Sequence, residues 1–346
     1  MLVDLMLAIL IVALAAYAVL GGADYGAGFW DLTAGGARRG ARARALIHRS
    51  MGPVWEANHV WLIAVLVILW TCFPRAFGPM METLYVPLFL AAVGIIFRGA
   101  AFALRGEAAT IAEARLLGAT FALASVLIPF FLGCAIGAVA SGQVPADGDP
   151  GRPFGAWTNS TSLWIGAMAV VMGAYVAAVF LAGDAVRAKQ PGLAEAFRAR
   201  ALGAALVAGA MAIGGLFVIR ADSRDLFDGL TSGGGLAMVI ASVVVGVVTL
   251  ALLWTRRYEP ARYTSGVAVG TVLAGWALAM RPDFLPGELT LQDAAAGDAT
   301  LLATLIALVL ALAVILPAMA WLFRLSLQGR LAHRFNPLGQ SEEAGQ

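Results

Sequence analysis

Charged residues are scarce in this chain, and their scarcity excludes a soluble domain. Only 13% of its 346 residues are Asp, Glu, Lys or Arg, whereas 61% are hydrophobic. A soluble domain carries about 25% charged residues. The composition therefore predicts a polytopic membrane protein in which residues 1–346 form a single membrane domain.

Cysteine and histidine are also rare, with two and three copies. Cys72 and Cys134 form neither a CxxC nor a CxxCH pattern, so we expect small core residues and no metal, redox or covalent haem site. The net charge is only +2, and the basic residues are scattered among loops instead of forming one face, so we expect no nucleic acid partner.

Long apolar runs are what the chain has in abundance. It lacks a cationic segment and a cleavage site before the first run, so we expect the first helix to be retained. Windows of about 20 apolar residues predict an all-α fold with nine transmembrane helices. These lie near residues 4–30, 53–73, 81–104, 114–140, 160–182, 200–220, 232–255, 262–280 and 300–324.

The distribution of charge predicts how the chain is oriented. Most of the 23 Lys and Arg residues lie after the first, third, fifth and seventh helices or in the C-terminal tail. The loops 141–159 and 281–299 are acidic and rich in turn residues. The positive-inside rule therefore places the N-terminus outside and the C-terminus in the cytoplasm.

A weak internal repeat suggests how the helices are grouped. The first helix ends in Gly22-Ala23-Asp24 and the fifth in Ala182-Gly183-Asp184, each before a basic loop. We expect two four-helix bundles, residues 1–140 and 160–280, with a peripheral ninth helix at 300–324. The alternative is that membrane helices commonly end in this way. The spacing Gly22-xxx-Gly26 favours close helix packing.

Three ionisable residues stand within the apolar helices and near the predicted cytoplasmic side: Asp24, Glu56 and His59. Because Gly52-Pro53 is typical of a helix start, Glu56 is expected one turn into the second helix and His59 about one turn deeper. Intramembrane acids are functional candidates by default. An acid followed by an imidazole predicts a proton-entry path, and we expect Asp24, Glu56 and His59 to form it.

Each of these residues also has a structural explanation that remains open. Asp24 could be an interfacial acid paired with Arg98 or Arg105. Glu56 could be a first-turn acid stabilised by the helix dipole, and His59 a packing histidine.

Three motifs resemble subunit II of cytochrome bd-type quinol oxidases. Residues 52–63, GPVWEANHVWLI, resemble the family signature GPVWDGNEVWL. Residues 22–28, GADYGAG, resemble GFDFGVG, and residues 97–105, FRGAAFALR, resemble FRxxAFxxR. Nine spans also fit that family. The sequence departs from the signature with Glu56 in place of Asp, Ala57 in place of Gly and His59 in place of Glu.

The resemblance implies a multi-pass subunit of a complex in the bacterial cytoplasmic (inner) membrane that oxidises quinol and reduces dioxygen to water. Its partner in a heterodimer would be the homologous subunit I, which would hold b-type haems and haem d, or b-type haems alone. A small accessory subunit, membrane lipid and a structurally held quinone fit the same family. The motif residues expected to support the proton path are Trp55, Asn58, Trp61 and Arg98.

The small number of histidines supports placing the haems in subunit I. Axial ligands of b-type haems are His or Met side chains on facing helices, and of His48, His59 and His333 only His59 lies in a predicted span. We therefore expect no haem ligand in this chain. Trp61 is either a packing residue or, by resemblance, part of a dioxygen path. The alternative functions are a proton-coupled transporter and a purely structural partner subunit.

Overall fold

The computed structural model describes residues 1–36, 39–105 and 110–327. Within these ranges, the side chains of residues 52–54, 56–57, 111, 323 and 326–327 lie outside the description. The predicted proton carrier Glu56 is therefore placed by its backbone alone, and His333 falls outside the described residues.

The described residues form twelve helices and one two-stranded sheet. The helices are α1 (Leu2–Leu32), α2 (Ala41–Cys72), α3 (Pro74–Thr83), α4 (Tyr85–Leu104), α5 (Ile111–Ala140), α6 (Ser160–Arg187), α7 (Pro191–Asp222), α8 (Arg224–Leu230), α9 (Gly233–Trp254), α10 (Tyr258–Ala279), α11 (Leu291–Ala294) and α12 (Asp298–Leu327). The strands are β1 (Asp283–Leu285) and β2 (Leu289–Thr290), which pair antiparallel.

The all-α, multi-pass fold class is confirmed. Each of the nine predicted helices overlaps a long helix of the described chain, namely α1, α2, α4, α5, α6, α7, α9, α10 and α12. By length and composition, seven helices in the described ranges could cross a membrane, or eight if the bent pair α2 and α3 is one span. Since α10 is not among them, nine spans stays a prediction.

The predicted start of the second helix at Gly52-Pro53 is wrong. Helix α2 begins at Ala41 and continues through both residues. The additional turns are stabilised by packing, because Leu46 and Ile47 are buried in a cluster with residues of α6. Glu56 therefore lies about four turns from the helix start. A helix dipole acts mainly within the first turn, so it does not account for the acid at this position.

The chain bends sharply after α2. Helices α2 and α3 meet at an angle of 117° around the fully buried Phe73. Residues 74–83, predicted to be mostly loop, thus form a short helix of their own, and the next long helix begins at Tyr85 instead of residue 81.

Eight of the long helices are described here in chain order as a first set (α1, α2, α4 and α5) and a second set (α6, α7, α9 and α10). In the first set α1 packs against α2 and α5, and α4 packs against α5. In the second set α6 packs against α7 and α10, and α9 packs against α10. The sets join where α6 lies against α1 and α5, while α12 packs outside them against α2 and α1.

The contact between α1 and α6 depends on glycine, as the spacing of Gly22 and Gly26 predicts. A methyl group added at Gly26 would overlap the backbone of Gly173 on α6, and one at Gly22 would touch the same residue. The close packing of these helices is confirmed.

The loop predicted at 281–299 is partly ordered into secondary structure. It contains the hairpin β1–β2 and the short helix α11. Phe284 of the hairpin stacks on Phe73, and Leu285 is fully buried in a hydrophobic cluster that also contains residues of α1 and α5. The hairpin therefore closes one end of the molecule, where Arg281 also pairs with Asp4 of α1.

Candidate functional site

A bidentate ion pair between Asp24 and Arg98 lies at the centre of the first four long helices. Asp24 is on α1 and 0% exposed, and Arg98 is on α4 and 2% exposed. The Arg98 guanidinium donates to both carboxylate oxygens, at 2.6 and 2.7 Å, and to the Asp24 carbonyl at 3.1 Å. Of the two arginines that the sequence suggests as partners of Asp24, Arg98 is the one in contact.

Two further side chains complete a network that we call the four-helix clamp: Asp24, Asn58, Arg98 and Ser125. The Asn58 amide on α2 donates to Asp24 at 2.9 Å, and Arg98 Nε donates to the Ser125 hydroxyl on α5 at 2.8 Å. Each of the four helices thus contributes one residue to a continuous chain of hydrogen bonds.

A glycine and two aromatic side chains surround the clamp and accommodate its polar groups in an apolar interior. A side chain at Gly28 would overlap Ser125, so this glycine makes room for the hydroxyl. The guanidinium carbon of Arg98 lies 4.5 Å from the centre of the Phe121 ring and 5.1 Å from that of Tyr25. Cation–π contacts of this kind stabilise a desolvated cation.

A second ionic cluster lies one heptad along the same helices. Asp31 of α1 accepts from Arg105, the residue that directly follows α4, at 2.6 Å, and Arg44 Nε of α2 lies 2.9 Å from the carboxylate. Asp24 and Asp31 are seven residues apart, or about 10.5 Å along α1, and so are Arg98 and Arg105. The two clusters together fix the register of α1 against α4.

The motif histidine belongs to a row of aromatic rings between α2 and α4. His59 Nδ1 forms a hydrogen bond of 2.7 Å with the carbonyl oxygen of Trp55, and the two rings meet edge to face. Trp55 stacks on Phe102 of α4, which in turn stacks on His48. Because Phe102 stacks on both Trp55 and His48, these rings lie on the side of α2 that faces α4.

Comparison with known proteins decides the family. The family model for cytochrome bd terminal oxidase subunit II matches residues 2–326, nearly the whole chain. The chain belongs to this family.

Relatives of this subunit II agree with that assignment. It is 26% identical over 146 residues to cytochrome bd ubiquinol oxidase subunit 2 of Bacillus subtilis (strain 168), a match that covers 42% of each chain. It is 32% identical over 71 residues to a putative cytochrome bd menaquinol oxidase subunit II of the same organism, covering 20% of each chain. The matched region thus spans less than half the length of either curated relative.

A solved structure shares the fold. The bd oxidase from Geobacillus thermodenitrificans contains a chain that superposes on this subunit II with a TM-score of 0.70 at 23% identity. The superposition covers 94% of this chain and 98% of that one.

The motif residues of subunit II separate into two groups. Asp24, Asn58 and Arg98 are in direct contact, while Trp55 and His59 contact each other. Trp61 is half-buried and packs against two of the hydrophobic clusters. The sequence analysis did not identify Ser125, since a single hydroxyl in an apolar helix has no distinguishing pattern. It also missed Asp31, although the shared spacing of seven residues was a visible signal.

An apolar cavity of about 350 Å³ lies between the two sets of helices in subunit II. Along α1 its lining extends from Leu7 to Tyr25, about 27 Å at the helical rise. The hydroxyls of Tyr17 and Tyr25, which hydrogen-bond each other at 3.0 Å, are among its few polar groups.

Within the described ranges of subunit II, no three His, Cys, Asp or Glu side chains form a group that could hold a metal ion. His59, the histidine in a predicted span, is engaged with the Trp55 carbonyl through Nδ1.

Proposed function

We propose that this chain is the second subunit of a cytochrome bd-type quinol oxidase, which oxidises quinol and reduces dioxygen to water in the bacterial cytoplasmic membrane. Membership of the subunit II family over residues 2–326 carries this proposal. The helical arrangement shared with the Geobacillus bd oxidase chain supports it.

The partner in this proposal is the haem-bearing subunit I, in a heterodimer that a small accessory subunit can join. Its haems, of b and d type or of b type alone, would transfer electrons from quinol to dioxygen. The scarcity of histidine supports placing every axial ligand in the partner, since this chain has three histidines and only His59 lies in a predicted span.

We further propose the arrangement of the chain in the membrane. The repeated packing of α1, α2, α4 and α5 and of α6, α7, α9 and α10 supports two four-helix bundles, residues 1–140 and 160–280, with a ninth, peripheral helix at 300–324. The basic loops after α1 and α6 support an N-terminus outside and a C-terminus in the cytoplasm.

The proposed proton path enters from the cytoplasm through Glu56 and His59, with Asp24 beside it. In this path Asp24 is a fixed anion, because both of its carboxylate oxygens accept from Arg98. The clamp holds α2 through Asn58, and it thereby positions Glu56 and His59 on the same helix. Trp55 packs on His59 and restrains the imidazole.

The apolar cavity supports a proposed structural role for a quinone in this subunit. Its length along α1 and its almost wholly apolar lining suit an isoprenoid tail. The hydroxyl pair of Tyr17 and Tyr25 offers a polar group to a carbonyl oxygen. Membrane lipid would surround the rest of the subunit.

Purification tests the proposed function. The chain is expected to copurify with a haem-bearing subunit, and the purified complex is expected to take up oxygen when quinol is supplied. Isolation without a haem-bearing partner, together with no quinol-dependent oxygen uptake, would refute it. Purification of the chain alone with proton-driven solute transport would instead support a transporter.

A further inference from the structure

Two turns that follow helix ends in the second set of helices each contain a basic residue in the left-handed backbone conformation. Lys189 follows the end of α6 with φ of +55°, and Arg256 follows the end of α9 with φ of +59°. In each turn the next amide closes a bond to a carbonyl five residues back, from Gln190 to Ala185 and from Arg257 to Leu252. Glycine usually occupies this left-handed position, because a Cβ atom is unfavourable there.

Ion pairs hold the two turns side by side. Arg187 pairs with Asp184 and Glu259, while Glu195 on α7 pairs with Arg198 and Arg256. The acids at this end are therefore already neutralised.

Positive charge remains in excess at the two turns. Lys189 and Arg257 are exposed, and neither makes an ion pair within the described ranges. Arg256 is also largely exposed, with a 3.3 Å contact to Glu195.

The surface beside the two turns carries the kinds of residue expected where a protein faces lipid. Trp254, the last residue of α9, is 72% exposed, and the Arg198 guanidinium lies 6.0 Å from the centre of its ring. Tryptophan is enriched at the membrane interface. Deeper in the membrane, α7 and α9 expose apolar side chains, among them Leu206, Val207, Val243, Val244 and Val247.

We propose that the two turns bind the phosphodiester headgroup of an anionic phospholipid, with Lys189, Arg256 and Arg257 supplying the charge. The acyl chains lie along the exposed faces of α7 and α9. This site accounts for cationic residues at two positions where glycine would be less strained, since strain persists where a function requires it. The proposal depends only on the chain spanning a membrane and goes beyond the oxidase function.

Native mass spectrometry of the purified complex, titrated with phosphatidylglycerol or phosphatidylcholine, tests this site. Lys189→Gly and Arg256→Gly each relieve backbone strain and remove a positive charge. If the side chain serves only the fold, the variant should be as stable as before or more stable. If it binds lipid, the variant should lose affinity for phosphatidylglycerol. We expect phosphatidylglycerol affinity to fall about fivefold for each cation removed. Thermal stability in phosphatidylcholine should stay the same or rise in Lys189→Gly, whereas Arg256→Gly also loses the ion pair with Glu195. Arg257→Gln should lower the affinity in the same way.

The matched control is Arg75→Gln, which removes an exposed cation from α3 and should leave phosphatidylglycerol binding unchanged. Equal retention of phosphatidylglycerol in all the variants would overturn the proposal. Loss of a partner subunit instead of lipid would also overturn it, by assigning the turns to a protein contact. Displacement of the lipid by soluble glycerophosphate would exclude a role for the acyl chains and contradict the lipid assignment.

Discussion

At the residue scale, the pair of Asp24 and Arg98 shows how a charge is kept inside an apolar bundle. Arg98 uses Nε, Nη1 and Nη2 in hydrogen bonds within the clamp, and two aromatic rings cover the guanidinium. A charge left alone in such surroundings would be costly. The contribution of Asp24 or Arg98 to the stability of the protein therefore depends on the presence of the other residue.

Replacement of one partner tests this dependence. Asp24→Asn leaves the Arg98 charge uncompensated, and removal of one member of a buried pair costs about 3–5 kcal/mol. We expect a lower thermal unfolding midpoint and a lower yield of assembled complex. The double variant Asp24→Asn, Arg98→Gln should be more stable than Asp24→Asn alone, because both charges are gone. If the double variant loses as much stability as Asp24→Asn and Arg98→Gln lose together as single variants, the two residues are not coupled and the account is contradicted.

Sequence reasoning identified Asp24, Asn58 and Arg98 through motifs, and it named Arg98 as one of two candidate partners of Asp24. It could not select between Arg98 and Arg105, because they are seven residues apart and the choice depends on the register of α1 against α4. The structure resolves this by pairing Arg105 with Asp31.

At the element scale, the contact between α1 and α6 joins the two sets of helices. Its closeness depends on Gly26, whose position leaves no space for a methyl group beside Gly173. Trp30 strengthens the same contact, because its indole N–H donates to the Ala174 carbonyl at 2.8 Å.

Two neighbouring glycines on α1 provide a matched pair of variants. Gly26→Ala should force α1 and α6 apart and destabilise the protein by about 1–3 kcal/mol, as overpacking does. Gly22→Ala places its methyl group at an ordinary contact distance of 3.5 Å from Gly173 and should be tolerated. Thermal unfolding of both purified variants measures the difference, and equal midpoints would show that the helices are not in close contact.

The elements most poorly predicted from the sequence are those stabilised by tertiary contacts. Residues 41–51 are too polar to appear in a hydropathy window, yet they extend α2 because Leu46, Ile47 and Met51 pack into a buried cluster. The hairpin β1–β2 was not predicted either. Its strands are short, and the stacking of Phe284 on Phe73 joins residues that are far apart in the sequence.

At the scale of the whole molecule, the apolar cavity between the two sets of helices is the feature most suited to a long lipophilic molecule. Leu14 of α1 lines it, whereas Val12 points away and is 63% exposed. Leu14→Trp should therefore fill part of the cavity. Val12→Trp adds the same ring to the outer surface.

Quinone extracted from the purified complex measures the effect of filling the cavity. Leu14→Trp should lower the quinone content per complex with assembly intact, and Val12→Trp should leave it unchanged. Equal quinone content in Leu14→Trp and the unchanged protein would contradict a quinone in this cavity.

The central claim is that this subunit delivers protons through the carboxylate of the motif helix, and Glu56→Gln in the assembled complex tests it most directly. We predict that quinol-driven oxygen consumption and proton uptake fall by about tenfold or more, since a positioned proton-transfer group contributes about 10²–10⁴-fold. Haem content and assembly should stay unchanged. Glu82→Gln, at an exposed acid of α3, serves as the control and should retain full activity. Unchanged turnover and proton uptake in fully assembled Glu56→Gln would contradict the claim and leave the subunit a structural role.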